Sequence, residues 1–131
     1  MKAGLRWQED LRFSGDVDGV PITVNGQGNA EPSPMQVVAV GLLGCMAIDV
    51  VDILKKGRHD LKGLEASLTA ERSDDTPRRF VKMSLHYSVT GDIAADKVER
   101  AIALSRETYC SVWHSLRQDI ELVTSFEVTT A

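Results

Sequence analysis

The chain reads as an α+β domain in which antiparallel sheets pack against helices, with one long apolar helix at its centre. Three observations predict this. Residues 37–54 are almost continuously apolar, broken only by Asp49 and Asp52. Residues 64–70 and 81–89 alternate apolar and polar, the period of half-buried strands. The order strands, helix, strands, helices, strand is that of a sheet covered by helices. The 131 residues are 43% hydrophobic and 26% charged, which suits a single folded domain spanning 1–131. No internal repeat, low-complexity tract or linker divides them.

At the N-terminus, Leu5, Trp7, Leu11 and Phe13 share one face of an expected strand, with Glu9 interrupting the pattern. Turn chemistry over Ser14-Gly15-Asp16-Val17-Asp18-Gly19 and an extended run at 20–24 complete an expected hairpin. A glycine-bearing loop, Asn25-Gly26-Gln27-Gly28-Asn29, leads to Ser33-Pro34-Met35-Gln36. That tetrad holds an N-cap serine, a first-turn proline and a glutamine at the third helical position, which together form a capping box. Lys55-Lys56-Gly57 supplies cations for the last turn and a glycine stop.

A helix apolar on nearly every side is a buried central helix, and its aspartates and cap argue against a membrane span. The polar run Ser73-Asp74-Asp75-Thr76-Pro77-Arg78-Arg79 joins the next two strands into a long hairpin. Thr90-Gly91-Asp92 opens a helix with Val98, Ala101, Ile102 and Ser105 on one stripe. Further helix is expected around Tyr109-Cys110, and Ile120, Leu122, Phe126 and Val128 alternate as a last strand. So few strands cannot wrap an all-apolar helix, so a second copy of the chain is expected to cover it as a homodimer.

A formal net charge of -4 and a pI near 5.3 exclude nucleic acid as the main partner. The opening residues lack the basic, apolar and small-residue order of a signal peptide, so the expected location is cytoplasmic and no membrane partner is expected. The two cysteines are too few for a self-contained zinc finger, and the three histidines show no ligand spacing. Redox or nucleophilic thiol chemistry is the sharper reading, and inert buried thiols are the plainer one.

Cys45 lies mid-helix beside Gly41 and Gly44, each costing about 1 kcal/mol relative to alanine, which suggests that a backbone or substrate approaches there. The alternative is a small thiol among packing glycines. If Cys110 opens a helix, free N–H groups favour its thiolate; the alternative is a core cysteine. His114, four residues on, either shares that face or is a solvated surface side chain. Trp113, three residues from Cys110, is the tryptophan better placed to line a site.

These motifs resemble a known family. Ser33-Pro34-Met35-Gln36 followed by Gly41-Leu42-Leu43-Gly44-Cys45-Met46-Ala47-Ile48-Asp49 resembles the central helix of OsmC/Ohr proteins, and Tyr109-Cys110-Ser111-Val112 resembles their second cysteine motif. Trp7, Arg12-Phe13 and the Asp18-Gly19 turn resemble their opening hairpin, so the resemblance runs along nearly the whole chain. It implies an OsmC-like fold in an intertwined homodimer whose active sites draw on both subunits. It also implies a thiol peroxidase, tied to oxidative stress, that reduces organic hydroperoxides and is regenerated by an external dithiol, with no metal or organic cofactor; hydrogen peroxide is the alternative substrate. By position Cys45 is the attacking cysteine, Cys110 the resolving one, and Arg12, ahead of Arg6, the arginine that stabilises the thiolate.

One part departs from the pattern. The family's arginine-orienting carboxylate falls at Met35, and Gln36 stands where related sequences carry a second acidic residue. Neither can pair with an arginine as a carboxylate does. Glu31, just before the helix, is a candidate substitute from the loop. The departure motivates a second reading, a stress or small-molecule-binding protein with little turnover. A third, weaker reading is a zinc site drawing on Cys45, Cys110 and His114.

Overall fold

The computed structural model describes residues 1–130 and resolves into two compact units, Met1–Ala39 and a second that begins at Val40. In the first unit, β1 (Ala3–Glu9), β2 (Arg12–Val17) and β3 (Val20–Asn25) form an antiparallel sheet in that order. The expected hairpin is therefore three strands. Asp10, at φ 45°, turns the chain sharply between β1 and β2, and the Trp7 indole N–H donates to the Asp10 carbonyl at 2.9 Å. Glu9, which broke the alternation, sits where the pairing register shifts.

The second turn narrows to Asp18-Gly19 alone, at φ 49° and 84° between paired Val17 and Val20. Two left-handed residues in a two-residue loop match the twist of the flanking strands. Ser14 to Val17 therefore belong to β2 rather than to the turn. Gly15 has a packing reason to be glycine: a Cβ there would run into the Gly4 backbone of the neighbouring strand.

The helix α1 (Pro34–Lys56) starts as its sequence dictates. The Ser33 N–H donates to Gln36 Oε1 at 2.8 Å, and the Gln36 N–H donates to Ser33 Oγ at 3.2 Å. Its end differs in detail. The left-handed residue is Arg58, one past Gly57, and the Arg58 N–H donates to the Lys55 carbonyl at 3.0 Å. Leu42, Met46, Val50 and Leu54 form the buried stripe of α1 at a spacing of four. Val40 and Ile48, on other faces, are 66% and 69% exposed. Within one chain the helix is thus buried along a stripe, not on every side.

In the second unit β4 (Asp60–Arg72) and β5 (Phe80–Asp92) form the long hairpin, and β6 (Glu121–Thr129) adds to β5. β6 runs parallel to β5, so this sheet is mixed where purely antiparallel pairing was expected. The reason is the connection: α2 (Ala95–Leu104), a π-helical turn (Ser105–Tyr109) and the short α3 (Ser111–His114) return the chain to the end where β5 began. β5 buries Met83, Leu85, Tyr87 and Val89 on one face. On the other, His86 meets Ser125 at 2.8 Å and the Ser88 hydroxyl donates to Glu127 at 2.9 Å. Val98, Ala101, Ile102 and Ser105 are the buried stripe expected of α2 and the turn after it.

Candidate active site

Cys45 and Asp49 are one helical turn apart on α1, at the spacing that places two side chains on the same face. Cys110 reaches the same place from the junction of the π-helical turn and α3. The π-helical turn ends with the Cys110 N–H donating to the Ser105 carbonyl at 2.8 Å, and Cys110 then serves as the N-cap of α3. Its sulfur accepts the Trp113 N–H at 3.3 Å. The Ser105 hydroxyl donates to Asp49 Oδ2 at 2.8 Å and so ties the turn to α1. As a result Cys45 Sγ, Cys110 Sγ and an Asp49 carboxylate oxygen all lie within 4.8 Å of one another. Both cysteines are free thiols, Cys110 fully buried and Cys45 partly accessible.

Burial decides the electrostatics of Cys110. It pushes the thiol up to about 11, with the adjacent Cys45 and Asp49 adding to the rise and the Trp113 N–H opposing it. Of the two sequence readings, a thiolate favoured by a helix start or a core cysteine, the second describes Cys110. The helix does start there, but α3 is a single turn, and the loss of water around a charged sulfur outweighs one N–H contact. Tyr87, on β5, is raised above its usual range by burial and then by the nearby Cys110 and Asp49 charges. Its hydroxyl is buried with no hydrogen-bond partner among the described residues.

His114 is exposed and outside the cluster, which leaves the solvated reading of that residue and removes the zinc site that included it. Two sulfurs and one carboxylate are one donor short of a closed tetrahedral zinc site. A Cβ on Gly41 or Gly44 would meet nothing within 4 Å, so no backbone of the described residues approaches them. Sequence reasoning missed Asp49, Ser105 and Tyr87. Asp49 had a signal, its offset of four from Cys45 in an otherwise apolar helix. Ser105 also had one, as the polar member of the α2 stripe. Tyr87 has none, being one of several inward positions on β5.

Arg12 belongs to the first unit and has a carboxylate partner there. Its Nε donates to both Glu31 oxygens, at 3.0 and 3.2 Å, and Asn25 Nδ2 donates to Glu31 Oε1 at 3.4 Å. The pair is partly shielded, with side-chain exposures of 36% and 22%. The loop therefore supplies the carboxylate that Met35 and Gln36 do not, while the Gln36 side chain is committed to the helix cap. Arg6 has no ion pair among the described residues.

A sequence profile described as OsmC, OsmC-like protein, matches residues 26–125. The chain belongs to the OsmC-like family. Protein YhfA of Escherichia coli strain K12 is 43% identical over 134 residues, covering 100% of both chains. Organic hydroperoxide resistance protein-like 2 of Staphylococcus saprophyticus is 28% identical, over 91% of this chain and 83% of its own. Among solved structures, a hypothetical protein from Aquifex aeolicus VF5 is 26% identical and superposes with a TM-score of 0.91, over 99% of this chain and 96% of that one. By length and composition alone the 23-residue α1 could cross a membrane; in an OsmC-like fold it is the core helix.

Proposed function

We propose that the protein is a two-cysteine peroxidase that reduces organic hydroperoxides. The observation that supports this most directly is the convergence of Cys45 and Cys110 sulfurs within 4.8 Å, from elements far apart in the chain. The two thiols also differ in the way the cycle needs. Cys45 is partly accessible and can meet a peroxide, whereas Cys110 is buried and held as a neutral thiol. The Cys45 thiolate attacks a peroxide oxygen, the O–O bond breaks, and the leaving alkoxide takes a proton to become an alcohol. Cys45 is left as a sulfenic acid, which Cys110 converts to a disulfide with release of water. An external dithiol then restores both thiols. The organic hydroperoxide resistance named for the staphylococcal relative fits this reading.

Arg12 is the cation proposed to favour the Cys45 thiolate, with Glu31 fixing its direction. That pair weakens the case for a family member without turnover, because the neutral Met35 and Gln36 no longer imply an unclamped arginine. The active unit is proposed to be a homodimer of cytoplasmic protein. Support comes from α1, where Val40 and Ile48 stand exposed on a helix buried along only one stripe.

The test is one equivalent of cumene hydroperoxide added to reduced protein, with free thiols followed over time. Fast loss of two thiols is expected in wild type, no peroxide-dependent loss in Cys45→Ser, and a trapped sulfenic acid in Cys110→Ser. Equal peroxide consumption by wild type and Cys45→Ser would end the proposal. Slow thiol loss together with tight binding of an apolar ligand after alkylation of both cysteines would favour the binding-protein reading.

A further inference from the structure

We propose that Asp49 is the proton-transfer group of the resolving step: its carboxylate takes the Cys110 proton as that sulfur attacks the Cys45 sulfenic acid, and returns it to the departing oxygen as water. This rests on the peroxidase reading above and concerns its second half. In that half an S–S bond forms and the Cys45 S–O bond breaks. The proton leaves Cys110 and ends on the hydroxide, so atoms and charge balance without a further reactant.

The geometry points to Asp49 for three reasons. Its carboxylate lies within 4.8 Å of both reacting sulfurs, and no other Asp, Glu or His of the described residues joins that cluster. It is also held in place, since the Ser105 hydroxyl donates to Oδ2 at 2.8 Å. A partly buried carboxylate in an apolar helix is costly to keep for packing alone, and one hydrogen bond offsets only part of that cost. The groups facing it are Cys45 from α1, Ser105 from the π-helical turn, Cys110 from the start of α3 and Tyr87 from β5.

The chemistry also requires a base at this point. A thiol buried as deeply as Cys110 is a poor nucleophile until its proton leaves, and bulk hydroxide is scarce at neutral pH. The Tyr87 hydroxyl completes the arrangement. It is buried, has no partner among the described residues, and lies close enough to Cys110 and Asp49 to feel both charges. A buried hydroxyl with no partner among the described residues is a donor available to the cluster.

Single-turnover measurements separate the two halves of the cycle. Sulfenic acid formation is read by dimedone adduct mass at Cys45, in Cys110→Ser with and without Asp49→Asn. Disulfide formation is read in wild type, Asp49→Asn and Asp49→Glu. We expect sulfenic acid still to form in the Asp49→Asn variant, at a rate changed far less than that of the disulfide step, because an amide oxygen still accepts from Ser105. Disulfide formation should slow about 100-fold, the scale of a lost general base, with partial rescue by glutamate. The slowed step should quicken about tenfold per pH unit as hydroxide replaces the missing base, where wild type is flat near neutrality. Wild-type disulfide rates in Asp49→Asn overturn the proposal, as does an equal slowing of both halves without a pH slope, which marks a structural residue. Should Asp49→Asn fail to fold by circular dichroism, Ser105→Ala provides the measure, with selective slowing of the disulfide step expected and unchanged kinetics overturning the idea. Absence of any Cys45 adduct in Cys110→Ser defeats the peroxidase reading itself and the proposal with it.

Discussion

The two sheets of this protein are built from similar alternating sequence and meet different fates. β5 is the middle strand of its sheet and buries every second side chain, from Met83 to Val89. β1 is exposed at every position, and Trp7 is 62% accessible. The alternation is clear in both, so pattern alone does not say which face finds cover. The second sheet has helices from its own chain to pack on one face. The first presents Leu5, Trp7 and Phe13 exposed.

The largest effect that would break this contrast lies in the second sheet. Met83→Ala removes a fully buried side chain and should cost about 2–5 kcal/mol, read as a fall in the urea midpoint at fixed protein concentration. A cost under about 0.5 kcal/mol would mean that the sheet is not the core of its unit. The same unit should show the next effect in the pH dependence of reduced protein. Cys110 holds its proton more tightly folded than unfolded, so its contribution is complete below pH 9.0. It is lost as the pH rises towards about 11. Cys110→Ala should reduce that slope in urea titrations between those limits, leaving the part due to buried Tyr87, and an unchanged slope would deny the burial of the Cys110 thiol.

The first sheet sharpens the comparison through association. Trp7→Asp should convert a species of twice the 14.4 kDa chain mass into one of that mass in sedimentation equilibrium. The chain should still fold. A wild-type protein already monomeric at working concentration would show that the first sheet is bare by nature. The smallest stability effect is expected at the Arg12–Glu31 pair. Glu31→Gln should cost no more than about 1 kcal/mol, because a half-exposed ion pair is screened by water. Its effect on function should be larger. Arg12→Gln should slow sulfenic acid formation about tenfold or more through a less favoured thiolate, and Glu31→Gln less, since the cation remains. Equal rates in wild type and both variants would detach the first unit from the chemistry.

Much of this was legible because the signals are local. The capping box of Ser33 and Gln36, the strand periods and the stripe of α2 each depend on residues within one or two turns of one another. So do the positions of the two cysteines in their motifs, from which the family follows. The limits of β2 were less legible, because Ser14 to Val17 carry turn residues that strand pairing overrides and only Asp18-Gly19 takes turn geometry.

What the sequence by itself determined was therefore the fold class, the helix start and the identity of the thiols. Only the tertiary structure decided that Cys110 is buried and Cys45 accessible, that Glu31 rather than Met35 or Gln36 answers Arg12, and that Asp49 meets a hydroxyl 56 residues away. The physical reason is range. Periodicity and capping are written in neighbouring residues, whereas desolvation and charge proximity depend on which distant side chains exclude water from the same few ångströms.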